Sequence, residues 1–169
     1  MPTIPALALT LAFWIHMLAT VVWIGGLAAL SILILPAARQ TLDSSAYAAF
    51  LGSLQRRLDP LGWLSLIFLV ATGMFQMSAN PNYAGFLTIS NRWATAILLK
   101  HVVFLGMIAV SAYITWGLMP QLQRIALRQS RGQEVPDSEK LHNREIFLMR
   151  ANLILGILVL ALTALARAS

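Results

Sequence analysis

Two histidines, His16 and His101, stand in stretches of sequence almost free of other polar chemistry. Imidazole is unwelcome in hydrocarbon unless something there binds it. Both lie about 12–16 Å in from the same end of their helices, at 1.5 Å per residue. Two imidazoles on separate helices at one depth suit bis-histidine ligation of haem b. Ala19, Thr20 and Trp23 follow His16 at i+3, i+4 and i+7, on its own face. Two small residues and an indole leave room there for a flat ligand. Lys100 sharpens the expectation, because burying an ammonium in a membrane costs about 2.5–3.5 kcal/mol. It calls for an anion such as a haem propionate, and Arg92 at the rim is placed to take a second one. Met74 and Met77, one turn apart, with Met17 and Met107 on other helices, offer a soft alternative suited to copper. The structural alternatives are plain: each histidine bonds a carbonyl and glues helices, the methionines pack, and Lys100 snorkels to the interface.

Other chemistries are excluded by what is missing. The chain has no cysteine, so disulfides, covalent haem attachment and thiolate ligation are ruled out. All six acids, Asp43, Asp59, Glu134, Asp137, Glu139 and Glu145, map to connections at the end away from Lys100. A carboxylate relay, a cation filter or a hard-metal site at the histidines' depth therefore lacks its ligands. No residue reads as a nucleophile or general base, so any enzyme activity would be a cofactor-dependent oxidoreduction.

The elements that must position these residues are read from hydropathy. Of the 169 residues, 59% are hydrophobic and 11% charged, against about 25% charged in soluble domains. Ala6–Leu35 has no charge, Leu61–Ala79 has none, and Trp93–Met119 is interrupted only by Lys100 and His101. Ala151–Ala166 extends backward through Ile146–Met149. Runs of about 18 or more apolar residues span a bilayer, and in lipid they must be helices. The expected fold is an all-α integral membrane protein: one four-transmembrane-helix bundle over 1–169, with helices at about 6–36, 60–79, 93–119 and 139–167. Two short amphipathic surface helices are expected, at Ser44–Asp59 (apolar at Phe50, Leu51, Leu54 and Leu58) and at QLQRIALRQ, which runs toward Gly132. Ala79–Arg92 reads as a short loop, and Pro136, Asp137 and Ser138 as a helix start. The first run lacks a basic n-region and is too long for a secretory signal, so it is kept as a span.

The net charge is +6, and its placement follows topology. Arg39, Arg56 and Arg57 lie in the first connection; Arg124, Arg128, Arg131, Lys140, Arg144 and Arg150 lie in or beside the third. The positive-inside rule then puts both termini on the extracytoplasmic side of a prokaryotic inner membrane, in a multi-pass protein. The basic excess is read as contact with membrane lipids, not with nucleic acid. Among isolated polar and small residues, Gln76 and Asn152 are expected to bond between helices and Gly25 and Gly26 to permit close approach. Trp14, Trp93 and Tyr83 are expected as interfacial anchors and His142 as solvated. The two halves also echo each other: His16 and His101 are 85 positions apart, Pro36 and Pro120 are 84, Arg39 and Arg124 are 85. Two similar hairpins by coincidence, or a parallel repeat, would both give this spacing.

HMLATVVWIGGL (His16–Leu27) resembles the H-x-x-A-x-x-x-W-x-G-G pattern that opens the copper-resistance D (CopD-like) membrane domain. LDPLGWLSLIFLVATG (Leu58–Gly73) and ILLKHVVFLGMIAV around Lys100 are similar to the same domain. The related HemJ-type haem-b membrane proteins share a His and Trp on helix one and a Lys on helix three, here His16, Trp23 and Lys100. Their longer aromatic, basic signature after helix one is absent, so protoporphyrinogen oxidation does not carry over. The leading expectation is a haem-b protein in electron transfer, to a quinone-like small molecule or within a respiratory or photosynthetic complex. The resemblance implies copper binding or transport as the alternative, with His16, His101, Met74 and Met77 as ligands. A cofactor-free structural subunit is the third reading.

Overall fold

The computed structural model describes residues 5–89, 91–129, 131–133, 135 and 138–168, without the side chains of 44, 45 and 48. Four helices carry these residues: α1 (Ala6–Thr41), α2 (Ser44–Ser78), α3 (Arg92–Gln129) and α4 (Ser138–Arg167). All four are long and apolar enough to cross a membrane. Large apolar side chains such as Leu7, Val21, Ile67, Leu105 and Ile154 cover their outward faces, as surfaces in contact with lipid require.

The helices are longer than their apolar runs, and the reason is local. In α1 the turn at Ala29–Ile34 is π-helical, and in α3 so is the turn at Tyr113–Leu118. Each ends on a bond reaching five residues back, Leu35 N–H to the Leu30 carbonyl and Met119 N–H to that of Ile114. Pro36 and Pro120 come next. Proline has no N–H and its ring collides with the carbonyl four residues earlier. A widened turn relieves that collision without ending the helix. Leu35, Ala38, Met119 and Leu122 then bury in one cluster with Tyr47, Leu51, Leu118 and Met149.

The expected surface helices are accordingly not separate elements. Asp43 caps α2 through its Oδ1, which accepts the Ala46 N–H at 2.8 Å, and α2 runs on through Pro60 to Ser78. QLQRIALRQ is the last part of α3, ending at Gln129; Gly132 follows at φ +73°, its N–H bonded to the Gln129 carbonyl. At the opposite end, Asn80 and Asn91 shape the short loop, with Asn91 Oδ1 capping α3 on the Ala94 N–H. Ser138 opens α4; Glu134, Pro136 and Asp137 lie outside the described residues.

α1 packs along α2 and α3 along α4, and the two hairpins meet where α1 touches α4 and where α2 touches the last turns of α3. Beside that apolar cluster, which lies at the end of the basic connections, a middle one joins Trp23, Leu66, Met107 and Val159, and a far one joins Met77, Trp93, Ala94, Ala96 and Ala166. Gln76 Nε2 reaches the Ala12 carbonyl at 3.1 Å and Asn152 Nδ2 reaches Ser111 Oγ at 2.7 Å, so both bond between helices as expected. Gly25 and Gly26 do not mediate close approach, because a Cβ on either would meet nothing within 4 Å. Gly62 does: a Cβ there would lie 3.1 Å from Trp23 Cζ3. Trp14 is exposed, whereas Trp93 is buried in the far cluster with Tyr83 packed on it, so the indole expected as an anchor is core. His142 is not free in solvent either. It is half-buried, its ring 5.5 Å from that of Tyr47.

Candidate functional site

His16 is seated by α2. Its Nδ1 lies 2.8 Å from Thr72 Oγ1, and the Thr72 hydroxyl is bonded to the Phe68 carbonyl. A hydroxyl has one hydrogen; given to Phe68, it leaves Oγ1 to accept from Nδ1–H. That network assigns the tautomer with the lone pair on Nε2. Gly73 completes the seat, since a Cβ there would stand 3.4 Å from His16 Cε1. His101 is fixed within its own helix, Nδ1–H donating to the Ile97 carbonyl at 2.7 Å, with the Phe86 ring edge-on at 5.3 Å. Both imidazoles are thus held by Nδ1, and each is left with its lone pair on Nε2.

Lys100 lies within electrostatic reach of His16 on α1 and of Arg167 at the end of α4. The Arg167 guanidinium sits 4.7 Å over the Phe13 ring. Among the described residues the acids are Asp43, Asp59, Glu139 and Glu145, all toward the other end of the bundle. The region is therefore a positive one, with Lys100 and Arg167 brought from two helices toward the neutral His16 on a third. Arg92 is exposed at the rim.

The remaining expected site residues are placed differently. Ala19 and Trp23 are buried, Trp23 against Gly62 of α2, and Thr20 bonds back to the His16 carbonyl at 2.7 Å. The face reserved for a flat ligand is packed by α2 where Trp23 lies. Met77 is buried and Met107 is 1% exposed in the middle cluster, whereas Met74 and Met17 are exposed on the outward surface. Met74 and Met77 therefore turn to different surroundings despite their spacing. No group of three His, Cys, Asp or Glu able to hold a metal ion occurs among the described residues.

Thr72, Gly73, Phe86 and Arg167 were not read from the sequence as site residues. A threonine and a glycine inside an apolar run gave the only signal, and it does not say which helix they face.

The profile of the copper resistance protein D family matches residues 52–166, more than half of the chain. This chain belongs to the CopD family. It is a multi-pass membrane protein of that family, and the expected CopD resemblance holds; the match does not extend to the HemJ relation. Lys100, His101, Arg92 and both Met74 and Met77 fall within the matched residues, while α1 with His16 precedes them. No curated protein and no solved structure matches the chain. The family's name suggests copper, and the packed face around Trp23 lends nothing to the haem b expectation.

Proposed function

We propose that this CopD-family chain binds copper within the membrane as cargo, with His16 and His101 as ligands near the end of the bundle away from the basic connections. What carries the reading is the shared fastening of the two imidazoles by Nδ1, which leaves each Nε2 bare. Metal-ligating histidines are oriented in this way, their other ring nitrogen given to a hydroxyl, carbonyl or carboxylate. Imidazole and thioether together favour Cu(I), and Met77 is a buried thioether on α2, the helix that seats His16. The positive field of Lys100 and Arg167 weakens a resident cation, which fits an ion that must leave again. With the basic connections on the cytoplasmic side, copper would meet these histidines from outside.

The test is a Cu(I) titration of the detergent-purified chain against a chromophoric chelator, with an optical spectrum of the same sample. Stoichiometric Cu(I) lost in both His16→Ala and His101→Ala is expected. Copper binding unchanged in both variants would overturn the assignment. Haem bands that vanish in both would replace copper by haem, and neither ligand would leave a structural subunit.

A further inference from the structure

The basic end of the bundle holds a second group of polar residues that copper at His16 and His101 does not use. Glu145 on α4 is 0% exposed, and neither carboxylate oxygen has a hydrogen-bond partner. The Tyr47 hydroxyl, buried beside it from α2, lies near enough to act on the carboxylate but outside full hydrogen-bond geometry. Two turns further along the same face of α4, Asn152 gives Nδ2 to Ser111 but leaves Oδ1 bare. Buried polar atoms without partners are few in folded proteins and each needs a cause. Here Oε1, Oε2 and Oδ1 are all acceptors. The missing partner is a hydrogen-bond donor or a cation, and of these only a proton or a metal ion also cancels the buried charge of Glu145.

Access exists on one side. A cavity of about 220 Å³ opens at the basic end, lined by Arg39 of α1, Tyr47 of α2, Gln129 of α3 and Ser138, Glu139 and His142 of α4. It has room for several waters. The Tyr47 ring is shared between this cavity, where it meets His142, and the enclosed Glu145. Burial, and then the Glu145 carboxylate, push the Tyr47 phenol above its ordinary range, so its O–H stays a donor.

The surroundings decide between a metal and a proton. The Arg39 guanidinium acts on Glu145 from α1 and repels a metal ion. The cluster that Tyr47 joins brings Ile114, Leu118, Met119 and Leu122 from α3, all of them apolar. Arg39 opposes either added charge, but a metal would have one carboxylate and no further anionic ligand, whereas a proton bonds covalently to a single oxygen and needs only a wet route. We propose that Glu145 is an exchangeable proton-binding site, loaded from the basic end through the cavity under Tyr47 and His142. A proton passes from cavity water to a Glu145 oxygen, forming the neutral acid, and returns by the same route without electron transfer. The site is independent of the copper reading.

The test is infrared difference spectroscopy of the full chain in lipid vesicles, between acidic and alkaline buffer. A protonated-carboxyl C=O band is expected that shifts in D2O, disappears in Glu145→Gln and persists in Glu139→Gln. Tyr47→Phe should keep the band but slow its hydrogen–deuterium exchange. If Glu145→Gln fails to fold, Glu145→Asp should move the band. A titrating band that survives Glu145→Gln, or Glu145→Asp without displacement, overturns the proposal. So does loss of the wild-type band on adding Na+ or Cu(I) at fixed pH, which would make the site a metal site.

Discussion

His16 and His101 reach the same tautomer by different means, one through a threonine on a neighbouring helix and one through its own backbone. Their sensitivity to mutation should differ accordingly. Thr72→Val removes the acceptor for His16 Nδ1–H and leaves that donor unpaired, a loss of about 1–3 kcal/mol in stability. It should also weaken Cu(I) binding by about 10–100-fold, the usual cost of losing an orienting partner, measured by chelator competition. No side chain plays that part for His101, so only replacing the ring itself should remove its ligand. Lys100→Met should have the opposite sign to Thr72→Val. Removing a positive charge beside His16 should tighten Cu(I) by about tenfold, or about 1.4 kcal/mol. Weaker binding in Lys100→Met would show that the ammonium holds an anionic co-ligand instead of repelling the metal.

Glycines in the helices separate packing from propensity. Gly→Ala in a helix interior gains about 0.5–1 kcal/mol by propensity alone. At Gly25 nothing opposes the new methyl, so Gly25→Ala should leave thermal stability in detergent unchanged or slightly raised. At Gly62 the methyl would lie 3.1 Å from the Trp23 ring, which is itself buried in the middle cluster. Overpacking costs about 1–3 kcal/mol and exceeds the propensity gain. Gly62→Ala should therefore lower the melting temperature, and equal behaviour of the two variants would mean that α1 and α2 do not meet as described. The π-helical turns work on the same scale. Each inserts the slack that lets a proline-bearing helix continue, and each turns the following residues into the basic-end core.

At the scale of the molecule, two hairpins of one plan lie side by side. The π-helical turns begin at Ala29 and Tyr113, 84 positions apart, the spacing of the two prolines. The absence of cysteine makes their orientation directly testable. Ser53 is exposed toward the basic end and Asn82 is exposed in the short loop at the other. Ser53→Cys should react with an impermeant maleimide only after lysis, and Asn82→Cys in intact cells. The reverse pattern would invert the topology, and copper would then meet His16 and His101 from the cytoplasmic side.

The amino-acid sequence by itself determined four membrane-spanning helices, the turn at Asn80, the helix stop before Gly132 and the interhelical roles of Gln76 and Asn152. Those follow from hydropathy summed over neighbours in the chain, from local turn chemistry, and from the cost of an unpaired amide in lipid. His16, His101 and Lys100 were legible as anomalies for the same reason. Tertiary structure alone decided their surroundings: Thr72 and Gly73 against His16, the like charge of Arg167 near Lys100, packed helix instead of a ligand slot beside Trp23. It also turned Met74 outward, drew His142 against Tyr47 and enclosed Glu145. Helical spacing tells which residues share a face, but not which helix that face will meet, and a polar side chain in a membrane takes its chemistry from what it meets.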